Sequence, residues 1–113
     1  MIRHIVMFKI ASFDNEEDKI KKIEHIKTTY ENLELKIKQI GTYEVGRNIN
    51  TSSDAYDVII ISTFKSKEDL SAYLEHPEHL YVIEKLRNIP KEKKLVDFEV
   101  TKRKKQLRNI SSK

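Results

Sequence analysis

The hydrophobic residues of this chain follow two periods that alternate along its length. Residues 2–10, Ile-Arg-His-Ile-Val-Met-Phe-Lys-Ile, are rich in β-branched and aromatic types and are followed by the turn formers Ser12, Asp14 and Asn15, which predicts a first strand. From Glu16 the period lengthens. Ile20, Ile23, Ile26, Tyr30 and Leu33 recur at threes and fours among Lys and Glu, predicting an amphipathic helix with acid in its first turn that gives way between Leu35 and Gln39. The only two glycines, Gly41 and Gly46, bracket a second strand at Thr42–Val45. A polar loop, Asn48–Asp54, leads into Tyr56–Phe64, the strongest strand signal in the chain. Ser66 followed by Asp69 fits a helix start, and that helix runs through Leu70, Tyr73 and Leu74 and stops before Pro77. Pro77 is well placed to open a further helix, for which the spacing predicts an apolar face of Leu80, Ile83 and Leu86. Lys94–Thr101 alternates, with Val96, Phe98 and Val100 on one side and Asp97, Glu99 and Thr101 on the other, as a half-exposed strand does.

The order is strand, helix, strand, strand, helix pair, strand: an α+β chain of the βαββαβ kind. Right-handed crossovers place the first and third strands in the middle of a four-stranded antiparallel sheet and both helical segments on one face. A sheet covered on one face only should be apolar at alternate positions. The middle strands are apolar at successive positions instead, Val6 and Phe8 but also Ile5 and Met7, Val58 and Ile60 but also Ile59 and Ile61. The second face therefore needs a cover from outside the chain, and an identical sheet in a two-fold pair is the simplest. An apolar ligand or a different protein is the rival cover.

Length fits one domain: 113 residues build one core. With 35% charged and 38% apolar residues the chain has little core to spare, which strengthens the expectation of a homodimer. There is no cysteine, so disulfides, thiolate metal sites and cysteine nucleophiles are excluded, and a cytoplasmic address is expected. Uninterrupted apolar runs such as Val58–Ile61 are far short of a membrane span, so no membrane partner is expected. The net charge of +4 resides in the tail: Lys102, Arg103, Lys104, Lys105, Arg108 and Lys113 leave residues 1–100 at −2. Residues 102–113 are thus expected to form a solvated basic tail outside a domain of residues 1–101. With no aromatic residue among the basic ones, nucleic acid is not expected as a partner.

Several of these segments together resemble the stress-responsive α/β-barrel (dimeric α+β barrel, Dabb) family. They are the opening Ile-Arg-His-Ile-Val-Met-Phe-Lys, Gly46, the Tyr-Asp-Val-Ile-Ile-Ile-Ser-Thr-Phe strand with Ser66 and Asp69 beyond it, Tyr-Leu-Glu-His-Pro-Glu-His at 73–79, and the late Val-Asp-Phe. The resemblance covers residues 1 to about 101 and implies a ferredoxin-like monomer whose sheet pairs with a second copy to form a barrel. Members similar to the olivetolic-acid cyclase of plants close a poly-β-ketone with a His and a Tyr in a pocket between sheet and helices. The positions this implies here are His4, Tyr30, Tyr73 and His79.

Aldol-type closure needs a base for a proton alpha to a carbonyl and a donor for the enolate oxygen, without a cofactor. Imidazole titrates near neutrality, so His79 is the candidate base and Tyr73 the donor, with His4 and Tyr30 as candidate substrate-binding residues. Each has a structural alternative. His79 at a helix corner can be a hydrogen-bonded structural group, His4 a satisfied buried polar group, and Tyr30 and Tyr73 core residues. His76 reads as the N-cap of the helix that Pro77 opens, and His25 faces solvent. A metal held by His4, His76 and His79 is permitted by the spacing of the last two, but the intervening proline and the lack of cysteine argue against one, and none is assigned. Two functions stay open: a stress-type dimer that binds an apolar small molecule, and a cofactor-free cyclase or lyase. A closed pocket around the four residues would favour the enzyme, and a solvated His79 with no adjoining cavity would remove it.

Overall fold

A computed structural model describes residues 1–101; the basic tail, 102–113, lies outside the described residues. The elements run β1 (Ile2–Ile10), α1 (Glu16–Glu31), β2 (Tyr43–Arg47), β3 (Val58–Phe64), α2 (Lys67–Glu75), α3 (Pro77–Lys85) and β4 (Lys91–Glu99). The strands form one antiparallel sheet in the order β2-β3-β1-β4, so the two most apolar strands occupy its centre. This is the ferredoxin-like arrangement that the element order predicts.

Burial alternates perfectly along β1. Ile2, His4, Val6, Phe8 and Ile10 are buried, whereas Arg3, Ile5, Met7 and Lys9 are only partly covered. The buried set shares its face with Val58, Ile60, Ser62 and Phe64 of β3, and the helices lie on that side. α1 packs on β2, β3 and β1, while α2 packs on β1 and β3. The core closes around Ile23, Ile26 and Tyr30 of α1, Leu70 and Tyr73 of α2, and Val82 and Leu86. On the opposite face Ile5 pairs with Ile61 and Val96, Met7 pairs with Ile59, and Arg3 with Phe98. Val96 and Phe98 are 57% and 40% exposed there, so a contiguous apolar surface faces away from the helices.

The helix starts follow local chemistry. Asn15 Oδ1 accepts from the Asp18 amide at 2.8 Å and Ser66 Oγ from the Asp69 amide at 3.1 Å, each satisfying an amide that the first helical turn leaves unpaired. His76 closes α2 and opens α3, its Nδ1 accepting from the Glu78 amide at 3.0 Å, which is the capping role expected of it. Gly41 lies where β2 enters the sheet, and a Cβ there would meet Thr63 Oγ1 at 2.8 Å. It would also crowd the Thr63 carbonyl oxygen at 3.1 Å, so glycine suits this close approach of the two strands.

Some boundaries and one helix phase differ from the sequence expectation. α1 ends at Glu31, and Leu33 is buried from the turn that follows, where its amide bonds back to Tyr30. β4 begins at Lys91, earlier than Lys94, because strand β1 is long enough to pair with all of 91–99. In α3 the buried residues are His79 and Val82, with Leu86 buried at its C-cap, whereas Leu80 and Ile83 are 51% and 43% exposed. The turn at His76–Pro77 sets the helix phase, and it directs the imidazole of His79 inward where hydrophobicity alone would have chosen Leu80.

Candidate functional site

The helical layer covers β2, β3 and β1 but stops short of β4. Between α3 and the uncovered side of β4 there is a half-enclosed cleft of about 730 Å³. β1 contributes His4, Val6 and Phe8 to its wall, α1 Tyr30, β3 Ile60, α2 Tyr73, and α3 His79 and Ile83; Lys91, Lys93, Leu95 and Asp97 of β4 form the opposite side, and Arg87, Ile89 and Pro90 bridge the two. All four candidate residues therefore line one cavity, although they come from four different elements. The cleft is open on one side, so it lies between the two extremes set out above.

Tyr73 is the hub. It is 1% exposed, with its ring 4.6 Å from that of His79, 5.0 Å from Phe64 and 6.0 Å from His4. Its hydroxyl is 2.9 Å from the hydroxyl of Tyr43 on β2. Burial pushes the Tyr73 phenol up to about 12, partly offset by the Tyr43 hydrogen bond, and pushes Tyr43 and Tyr30 up as well. These phenols stay protonated at neutral pH and are donors. When Tyr43 donates to Tyr73, the Tyr73 proton is free for another acceptor.

His79 is 8% exposed, and its Nδ1 lies 3.1 Å from the Leu74 carbonyl oxygen. A carbonyl only accepts, so Nδ1 carries the proton and donates, leaving the Nε2 lone pair unprotonated in the neutral ring. Burial holds the His79 pKa below its ordinary value of 6.5, against the opposing pull of the Leu74 bond, and the nearby His4, Lys93 and His76 lower it further. The ring is therefore neutral at physiological pH, as a general base must be.

His4 is buried on β1, and its Nδ1 bonds to the Asp97 carboxylate of the neighbouring strand, directly opposite in the register. That bond fixes the orientation of the His4 ring. Tyr30 packs its ring 5.6 Å from that of Phe8 and closes the α1 side of the cleft. Asp97 and Tyr43, bonded to His4 and Tyr73, are neighbours of the candidate residues that the sequence pattern did not single out. Strand parity could have found Asp97, because in an antiparallel pair with β1 one face of β4 must look at His4. Tyr43 carried no comparable signal. Among the described residues no group of three or more His, Cys, Asp or Glu side chains could hold a metal ion, and no helix is long and apolar enough to cross a membrane.

This fold and cleft define a class of small ferredoxin-like α+β domains, and comparison with known proteins places the chain within it. The family model described as "Stress responsive A/B Barrel Domain" matches residues 2–100, and the chain belongs to that family. The chain is similar to the stress-response A/B barrel domain-containing protein DABB1 of Arabidopsis thaliana, 28% identical over 98 residues that cover 87% of the chain and 46% of the relative. It thus spans about half the length of that curated relative. Among solved structures it is similar to a dimeric ferredoxin-like protein of unknown function from Bacteroides fragilis, with 30% identity, a TM-score of 0.77, and coverage of 88% of this chain and 95% of that one. It shares its fold with a hydroxynitrile lyase from Passiflora edulis, at 18% identity, a TM-score of 0.72, and coverage of 92% and 96%.

Proposed function

We propose that this protein is a homodimer, paired through the apolar faces of its sheets, and that each protomer binds an apolar small molecule in the cleft between α3 and β4. The observation that carries the binding reading is the convergence of His4, Tyr30, Tyr73 and His79, from four elements, on one cavity with an apolar floor of Val6, Phe8 and Ile60. A few polar groups aimed into an apolar cleft are what orient a small ligand. The dimer is supported by the contiguous apolar face of Ile5, Met7, Ile59, Ile61, Val96 and Phe98, and by the dimeric state of the Bacteroides relative. Titration of the isotopically labelled protein with octan-2-one tests the binding: shifts should concentrate at Tyr73 and His79. A titration that leaves both residues unmoved refutes it.

A second reading, turnover of the bound molecule, is favoured by the tautomer of His79. With Nδ1 committed to Leu74, Nε2 can take a proton from the carbon alpha to a carbonyl while the Tyr73 hydroxyl holds the enolate oxygen. That is the chemistry of a cofactor-free cyclase or lyase like the olivetolic-acid-cyclase-like members, and the Passiflora enzyme is a lyase on the same fold. In deuterated buffer the protein should speed exchange of the alpha protons of octan-2-one, and His79→Gln should remove that acceleration. Exchange at the buffer rate with the native protein would leave binding without turnover.

A further inference from the structure

On β4 the side chains that look toward the helices are Lys91, Lys93, Leu95 and Asp97, set in register against Ile10, Phe8, Val6 and His4 of β1. Ile10 and Phe8 are buried, but β4 lies beyond the helical layer, so its residues on this face border the open cleft. The two that flank Ile10 and Phe8 are lysines. Lys91 has a structural use: its ammonium donates to the carbonyls of Leu86 at 2.7 Å and Ile89 at 3.3 Å, where α3 ends. Lys93 has none of this kind. It lines the cleft, and none of the ion pairs among the described residues involves it. Arg87, at the rim, pairs with Glu84 on the surface, and the one carboxylate in the lining, Asp97, is engaged by His4. The cleft thus combines an apolar floor with an uncompensated cation at its open side.

We propose that the occupant of the cleft is an apolar acid, its hydrocarbon body on the floor formed by Phe8, Val6 and Leu95 and its carboxylate held by the ammonium of Lys93. This rests on the cleft being a ligand site, and it adds the ligand's charge and the residue that selects it. Because Lys93 is exposed, solvent screening caps its pairing with a carboxylate at about fivefold in affinity.

Octanoate and methyl octanoate, which share a chain and differ in charge, separate the possibilities when each is titrated into the full-length protein with His79 and Tyr73 observed by NMR. Octanoate should bind about fivefold more tightly than the ester, and the preference should shrink as salt is raised. It should be lost in Lys93→Met, with ester binding unchanged, and retained in Lys93→Arg. Equal affinities for acid and ester with both residues shifting would overturn this inference and leave the ligand site standing. A preference that survives Lys93→Met would overturn the assignment to Lys93. If neither compound moves His79 or Tyr73, the ligand site itself falls, and this inference with it.

Discussion

His79 is a histidine whose surroundings favour the neutral form, and that preference makes stability depend on pH. Its pKa in the folded chain lies below the unfolded value near 6.5, so below 6.5 the unfolded state binds more protons than the native one. The stability associated with neutral His79 is fully present above pH 6.5 and declines as pH falls toward the native pKa. The stability of the native protein relative to His79→Gln should therefore drop across that acidic window and level off once both states are protonated. Denaturation by urea at a series of pH values checks this, and a flat difference would contradict the burial of the ring. Tyr73 and Tyr43 make a second prediction at this scale. Tyr73→Phe and Tyr43→Phe should each cost about 0.5–1.5 kcal/mol, and the double variant less than their sum, because one hydrogen bond serves both hydroxyls. His4, Tyr30, Tyr73 and His79 were legible as candidates because their residue types and segments resemble a known family. Asp97 was not, since a charged residue on an alternating strand reads as solvent-facing until the neighbouring strand is known.

At the scale of elements, every strand and helix was legible, because the shift between a period of two and a period of three to four is strong in this chain. Phase was harder to read. In α3 the spacing of Leu80, Ile83 and Leu86 is a good helical stripe, yet the cap at His76 leaves Leu80 half-exposed and Ile83 on the cleft wall, and buries His79 and Val82. Leu80→Ala should accordingly change stability by no more than about 0.5 kcal/mol, whereas Leu86→Ala, which empties a fully buried position, should cost about 2–5 kcal/mol. Thermal melts of the two variants distinguish the phases. Equal costs at the two positions would mean that Leu80 is packed in solution.

For the whole molecule, the proposed pairing rests on the apolar face away from the helices. Ile61 is central to it, paired with Ile5 on one side and Glu44 on the other. Ile61→Lys should shift sedimentation equilibrium from dimer to monomer at micromolar concentration while the cleft residues keep their packing, because the substituted side chain points away from the helices. A native protein that sediments as a monomer would remove the need for a twin. Double-sided hydrophobicity made this legible in the sequence, since periodicity shows that both faces of β1 and β3 are apolar without saying what covers the second.

The charged run Lys-Glu-Lys-Lys at 91–94 opens β4, an outer strand of the sheet among the described residues, whose free edge exposes backbone groups. An edge of that kind can template strand after strand, but lysines crowding a rim repel the matching rim of another molecule. Growth sideways into fibrils is thereby opposed, which suits a chain whose proposed self-association runs through the broad surface of the sheet.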